Sequence, residues 1–244
     1  MTAPCALLEW DSAFFHRRIA RVTRPALTLS ETDAVLHWCA ENQIDCLYWL
    51  VNADDLDSIR AAEAHHFQLM DIRVTLRLTI PDAPGSVDPG IRPASAADLP
   101  ALKAIARTAH TDSRFFADPR FPRDRSEELY AVWLERDFRE GSLWVADSED
   151  APQGYITCQM RSDGAGQIGL LGVGAHARGR GIGARLVRQA VRWFKSQGAS
   201  TALVVTQGRN ARAQRLYQQA GFVTDQMQIW FHRWFAASES ADTP

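Results

Sequence analysis

Apolar and polar positions along the chain alternate between short runs of period two and longer stretches of period near 3.6. Up to Ile80 this pattern predicts a strand over Ile19 to Val22, a helix over Thr32 to Glu41 capped by Ser30, and a strand over Cys46 to Val51. A helix over Asp55 to Ala64 and a strand over Leu69 to Ile80 follow. Pro81 to Gly90 then sets three prolines and two glycines between apolar runs, which is the chemistry of a linker. Beyond it, Ile91 to Ala94 reads as a short strand, Asp98 to Ala109 as a helix, and the next residues as a polar loop rich in aromatics. Asp124 and Glu127 have capping-box spacing, so a helix is expected over Ser126 to Asp137 with Leu129, Tyr130, Trp133 and Leu134 on its apolar side. Strands over Leu143 to Asp147, Gly154 to Met160 and Gln167 to Val173 come next. Helix Gly181 to Gln197, strand Ala202 to Thr206, helix Ala211 to Gln219 and strand Gln226 to Trp234 complete the pattern.

Alternating elements of this kind predict an α/β protein with a mixed sheet. The expected organisation is a smaller α/β domain over 1–80, a linker over 81–90, a larger domain over 91–235 and a loose tail over 236–244. A faint internal repeat is also visible. A helix, His65, His66, Phe67 and a long strand to Ile80 parallel a helix, Ala220, Gly221, Phe222 and a strand to Trp234.

Composition narrows the class. With 46% hydrophobic and 23% charged residues in 244, the chain has a globular rather than a disordered or collagen-like make-up. No apolar run approaches the roughly 18 to 20 residues that span a bilayer, and Met1 to Trp10 lacks a signal-type stretch, so a cytoplasmic protein without a membrane partner is expected. Cys5, Cys39, Cys46 and Cys158 form neither a C-x-x-C nor a Cys/His cluster. No metal site is therefore expected, and the four read as reduced, half-buried thiols.

The net charge of −2 conceals a strong asymmetry. Gly164 to Thr224 contains no Asp or Glu but nine Arg and Lys, which leaves a formal −11 on the rest. Glycine is equally uneven: none precedes Gly85, whereas eight lie between Gly164 and Gly183. A basic, acid-free segment where the backbone can approach a ligand closely suits a phosphate group. Nucleic acid is not expected, because one short basic loop on an acidic remainder makes a poor electrostatic track.

Within that segment, an apolar strand ending at Val173 runs through a Gly/Arg turn, Arg178 to Gly183, into a helix. Successive turn amides and the positive helix end can receive a diphosphate. A P-loop is excluded because no G-x-x-x-x-G-K-[ST] is present. Gly172 to Ala177 fits a relaxed dinucleotide pattern, but the acidic ribose partner that pattern needs about 20 residues on is missing.

Arg178-Gly-Arg-Gly181-Ile-Gly183 resembles the coenzyme A signature of the GNAT N-acetyltransferases, and Asn210-x-x-Ala213-x-x-Leu216-Tyr217-x-x-x-Gly221-Phe222 resembles their second conserved stretch. The resemblance covers about Ile91 to Trp234, and the first domain resembles part of such a module. It implies acetyl-CoA as acyl donor and no metal. It also implies that Leu171, Gly172 and Val173 pair with pantetheine, on a strand from which the next one splays away. By the same resemblance Arg178, Gly179, Arg180, Gly181, Ile182, Gly183 and Ala184 hold the pyrophosphate, with Asn210 and Leu216 along the cofactor arm. A proline frequent at the position of Ala175 is missing.

Further short motifs resemble the members that acetylate the 4-amine of TDP-4-amino-4,6-dideoxygalactose for surface polysaccharide biosynthesis. These are Leu8 to Phe15, Ser113 to Phe115, Tyr130 to Trp133, and Thr206-Gln207 with Asn210. The acceptor implied is a small-molecule amine on a TDP sugar.

Amide formation from a thioester needs a neutral amine, oxyanion stabilisation and a proton for the thiolate. Tyr217 matches the family's general acid, and the Val173 amide is the oxyanion donor that the resemblance implies. Asn210, preceding a helix, also reads as an ordinary N-cap. Ser113, Arg114, Phe115 and Tyr130 are the acceptor candidates, since Arg grips diphosphate and aromatics stack on rings. No general base stands out. His110 and Asp112 lie near the acceptor loop and could deprotonate the ammonium directly, or the proton could leave through water, but both read first as surface or capping residues. A protein or other small amine is the alternative acceptor, and a non-catalytic acyl-CoA-binding module the alternative class. The glycine-free first domain is assigned to shaping the acceptor site or to homodimer contacts.

Overall fold

The computed structural model describes residues 3–83, 85–147 and 151–235, so the expected loose tail over 236–244 lies outside the described residues. Two compact units are formed, Met1–Arg73 with Met227–Pro244, and Val74–Gln226.

The first unit begins with β1 (Cys5–Leu7) and α1 (Glu9–Phe15), two elements too short to leave a period in the sequence. It continues through β2 (Ile19–Val22), α2 (Leu29–Glu41), β3 (Cys46–Asn52), α3 (Leu56–Ala64) and the first half of β4 (Gln68–Thr79). β1 is antiparallel to β2, and β2 is parallel to β3. The last strand of the chain runs antiparallel along the other edge of β3, from Gln228 opposite Asn52 to Trp234 opposite Cys46. Strand β3 is buried almost throughout because both of its faces are covered. Leu47, Trp49 and Val51 pack with Val35, Cys39, Ala61, Ala62 and Phe231, while Tyr48 stacks on His232 at 4.5 Å.

Helix α2 starts earlier than the pattern predicts, and its cap is Thr28 rather than Ser30. Thr28 Oγ1 accepts from the Glu31 amide at 3.3 Å, and Glu31 Oε2 accepts from the Thr28 amide at 2.8 Å. Asp55 caps α3 by accepting from the Ser58 amide at 3.1 Å. At the other end of α3, His66 takes the left-handed conformation (φ 58°) before buried Phe67 and β4.

The second unit takes the rest of β4, then β5 (Ile91–Pro93), α4 (Leu99–Ala109), α5 (Arg114–Ala117) and α6 (Arg123–Glu140). After these come β6 (Ser142–Ala146), β7 (Gly154–Met160), β8 (Gly166–Val173), α7 (Ile182–Ser196), β9 (Thr201–Gln207), α8 (Ala211–Gln219) and β10 (Val223–Trp234). β5 to β8 form an antiparallel run, β8 is parallel to β9, and β4 lies on the other side of β9. One face carries α7 and α8 over Ile156, Cys158, Ile168 and Val204. Helices α4 and α6 pack on each other and on β7.

Three expectations are corrected here. Asp124 and Glu127 make no capping box: α6 starts at Arg123 after Pro122 with no side-chain cap, and Glu127 instead pairs with Arg123 at 3.2 Å. The aromatic-rich stretch taken as loop contains α5. All four cysteines are free and fully buried rather than half-buried.

The unit boundaries fall inside β4 and β10, and 81–90 belongs to the second unit. There Asp88 grips Arg185 with both oxygens (2.6 and 2.7 Å), Asp82 pairs with Lys195 (2.9 Å), and the Gly85 carbonyl accepts from Arg192.

Candidate active site

Strand β8 pairs with β7 in regular register from Gly172 opposite Tyr155 to Leu171 opposite Ile156, then slips, so that Cys158 stands opposite Ile168. Thr157 alone therefore faces Gly169 and Leu170, which is a β-bulge. On its other edge β8 pairs with β9 only up to Ile168 opposite Val204, although β8 continues to Val173 and β9 to Gln207. The last five residues of β8, including Leu171, Gly172 and Val173, thus border a gap where β9 no longer pairs with β8.

Past β8 the chain makes a 3-10 turn, Ala175–Ala177, closed by the Ala177 amide on the Gly174 carbonyl at 2.9 Å; it forms without the proline. Gly179 and Gly181 then adopt φ of 80° and 74°, with nothing within 4 Å of where a Cβ would stand. It is the left-handed backbone, not crowding, that calls for glycine here. Helix α7 has no side-chain cap, and its first amide to donate is that of Arg185, to the Gly181 carbonyl at 3.1 Å. None of the amides from Arg178 to Ala184 donates to a backbone carbonyl among the described residues. Such a row of free donors at a helix start is a seat for an anion.

Arg178 and Arg180 form no ion pair with a carboxylate among the described residues, and Arg178 Nε donates to the Val173 carbonyl at 3.2 Å. Not all of the basic segment stays available, however. Asp82 and Asp88 fold back from outside the acid-free stretch and take Lys195 and Arg185. Arg185 holds the Asp88 carboxyl well below its usual range, near 2.

Helix α8 is capped by Asn210, whose Oδ1 accepts from the Ala213 amide at 3.0 Å, so the N-cap reading of Asn210 is realised. Leu216 reaches α7: a Cβ on Gly183 would meet its Cδ2 at 3.1 Å. Leu216 and Ala184 also line a cavity of about 310 Å³ with Arg188, Ala220 and Leu78. Neither Tyr217 nor Val173 is in its wall, so it flanks the cleft and is not the reaction centre. Tyr217 is 5% exposed and packs edge-on to Phe222 at 5.8 Å. Its hydroxyl has no hydrogen-bond partner among the described residues. Burial, with a smaller effect from Cys158, pushes this phenol well above its ordinary pKa.

On the α4 and α6 side, Tyr155 and Thr157 point away from Ile156 and Cys158, as strand alternation requires. The Tyr155 ring lies where a Cβ on Gly172 would stand, 2.5 Å from its Cε1. Tyr155 Oη is 2.8 Å from His110 Nε2, and the imidazole stacks on Tyr130 at 4.5 Å and 17°. His110 is therefore a half-buried residue at the C-cap of α4, so the capping reading of it is realised and the surface reading is not. Burial, helped by the charge of Arg178, lowers its pKa to about 4, so it is neutral near pH 7.

The four acceptor candidates separate. Phe115 is 3% exposed, wedged against Phe121 and Trp133 at 5.5 and 6.0 Å, and so is a core side chain. The Arg114 guanidinium lies over its ring at 4.2 Å. Tyr130 is a buried wall beside His110, and Ser113 Oγ is buried without a hydrogen-bond partner. Sequence reasoning passed over Tyr155 and Thr157; the alternation of β7 opposite the glycines of β8 was the available signal.

The whole arrangement is that of an acyl-CoA-dependent transferase: a strand that parts from its neighbour, an open row of amides, and a buried unbonded phenol. Comparisons with known proteins agree. Residues 107–222 match the Acetyltransferase (GNAT) family. The chain is 30% identical over 232 residues to the dTDP-fucosamine acetyltransferase of Escherichia coli O6:H1, covering 93% of this chain and 96% of that one. It is 29% identical over 144 residues to the spore coat polysaccharide biosynthesis protein SpsD of Bacillus subtilis, covering 58% of this chain and half of that protein. The fold matches the crystal structure of a GCN5-related N-acetyltransferase from Sphaerobacter thermophilus with a TM-score of 0.67 at 17% identity, over 94% of this chain and 76% of that one.

The chain belongs to the GNAT acetyltransferase family and is an acetyl-CoA-dependent N-acetyltransferase. Among the described residues no helix is long and apolar enough to cross a membrane, and no group of three or more metal-ligating side chains is formed.

Proposed function

We propose that this enzyme acetylates the amine of a nucleotide-linked amino sugar, with TDP-4-amino-4,6-dideoxygalactose as acceptor. The observation that carries the acceptor class is the similarity to the dTDP-fucosamine enzyme along 96% of that protein's length, which takes in both units.

In this reading the amides of Arg178 to Ala184, with the Arg178 and Arg180 side chains, receive the coenzyme A pyrophosphate. Leu171 to Val173 pair with the pantetheine arm where β9 has departed. Asn210 and Leu216 border the arm, and the Val173 amide faces the thioester oxygen. The acceptor amine loses one proton to water and attacks the thioester carbon. The C–N bond forms, the C–S bond breaks, and Tyr217 Oη donates a proton to the departing sulfur; the second proton of the amine, shed as the amide forms, returns through water to the Tyr217 phenolate. Burial keeps this phenol protonated near pH 7, and the same apolar surroundings disfavour the thiolate that it meets. Neutral His110 does not repel an incoming ammonium group. Arg114 and the Ser113 hydroxyl bind the acceptor, and the Tyr130 ring walls it in.

The test is to combine purified protein with acetyl-CoA and TDP-4-amino-4,6-dideoxygalactose, follow free thiol, and weigh the sugar product. Stoichiometric thiol and a sugar heavier by one acetyl group are expected. Thiol release with other primary amines but not with this sugar would replace the acceptor and keep the chemistry.

A further inference from the structure

A buried carboxyl that the mechanism above leaves unused lies directly behind the cleft. Asp137 of α6 is 2% exposed, yet it projects onto the sheet at the bulge. Its Oδ2 accepts from Thr157 Oγ1 at 2.8 Å, and Oγ1 in turn accepts from the Leu170 amide at 2.7 Å. The other oxygen, Oδ1, takes Arg136 Nη2 at 2.9 Å and Gln159 Nε2 at 3.2 Å. The Leu170 amide, freed from ladder pairing by the bulge, is thus satisfied by a side chain that is itself held by a carboxyl.

Gly169 makes room for this relay. A Cβ there would stand 2.5 Å from Thr157 Oγ1 and 2.9 Å from Asp137 Oδ2. Gly169 is also exposed although Ile168 and Leu170 on either side are buried, as expected of backbone at the mouth of the cleft. The pairing of β8 with β9 ends one residue before it. Asp137 follows Tyr130 by two helical turns, so one face of α6 carries both the aromatic wall on the acceptor side and the carboxyl that holds the donor strand.

We infer that Asp137 and Thr157 are positioning residues: their relay pins the bulge of β8 and so fixes where the strand parts from β9 and how Leu171 to Val173 are presented to the thioester arm. The inference rests on the reading of this cleft as the acetyl-CoA site. It predicts that loss of the relay weakens acetyl-CoA binding while the protein stays folded.

The experiment is calorimetric titration of the full chain with acetyl-CoA, at a temperature where every variant is folded by circular dichroism. Thr157→Val keeps the shape of the side chain but leaves Asp137 Oδ2 and the Leu170 amide without their partner. Its Kd is expected to rise tenfold or more, with KM for acetyl-CoA following. Thr157→Ser restores the hydroxyl and should return Kd to within threefold of wild type. Val35→Ala, a core truncation in α2 of the first unit, controls for general destabilisation and should lower Tm without moving Kd beyond twofold.

Wild-type affinity in Thr157→Val, or an equal loss in Val35→Ala, overturns the inference. Gly181→Asp separates this from failure of the site reading, because a carboxylate at the helix start should weaken binding roughly tenfold or more. If Gly181→Asp still binds like wild type, the cleft is not the acetyl-CoA site. If Thr157→Val does not fold, Asp137→Asn and Thr157→Ser carry the test: a several-fold weaker Kd in the first alone is expected, and equal affinities would overturn the inference.

Discussion

The run β2-α2-β3-α3-β4, which starts in the first unit, and the run β8-α7-β9-α8-β10, which starts in the second, are built on one plan, each ending in a strand that a unit boundary divides. Each has a parallel strand pair across its first helix. Each second helix is capped by a side-chain oxygen, from Asp55 or Asn210, and ends in a left-handed residue, His66 or Gly221, before a buried Phe67 or Phe222. The faint repeat in the sequence is therefore a real structural one. What differs is chemistry at two equivalent points. Where α7 begins at bare amides after Gly179 and Gly181, α2 begins with a capping box that occupies them. Where α8 carries Tyr217, five residues before Phe222, α3 carries Ala62, five before Phe67. One plan thus serves both runs, and among the described residues the uncapped glycine turn and the buried phenol both lie in the second.

The comparison is broken most severely by Tyr217→Phe, which makes the second run as inert as the first. Turnover should fall by about 100-fold or more, the usual range for a general acid, while titration shows acetyl-CoA affinity little changed. Wild-type turnover would remove Tyr217 from the reaction. Next in size, Gly181→Asp places a carboxylate at the start of α7, as Asp55 does at α3, and acetyl-CoA affinity should drop by roughly tenfold or more because the charge opposes the phosphates.

A third test uses pH. His110 has an ordinary pKa of 6.5 unfolded and about 4 folded. Above 6.5 it is neutral in both states. As pH falls from 6.5 towards 4, the unfolded chain takes up a proton that the folded one refuses, so stability is lost in that window, by a few kcal/mol at most. His110→Gln should flatten the fall of Tm between these values; an unchanged profile would mean that the imidazole is not held neutral. The smallest effect is expected from Thr28→Ala. Removing the α2 cap should lower stability by about 1 kcal/mol and leave acetyl-CoA affinity as it was.

Much of the donor half of the site was legible before folding was known. Glycines and arginines crowd between an apolar strand and an amphipathic helix, and that order alone predicts a turn whose amides face a phosphate. Gly154 to Met160 and Ala211 to Gln219 have the limits their periodicity gave. The acceptor half was far less legible. Phe115 read as a ring for stacking and is core, His110 read as a surface or capping residue and is the half-buried C-cap of α4 bonded to Tyr155, and the acid-free stretch acquires Asp82 and Asp88 from another segment. Each of these depends on which residues meet, and no local period encodes that.

Sequence by itself determined the order of the longer elements and the place of the glycine turn between an apolar strand and an amphipathic helix, because period and side-chain chemistry are local properties. Tertiary structure alone decided that β9 leaves β8 after Ile168, that Asp137 reaches Thr157 through the gap at Gly169, and that the first unit takes its last strand from the end of the chain. Those outcomes are set by packing between residues far apart in sequence, where burial and hydrogen-bond satisfaction choose among pairings that the local pattern leaves equal.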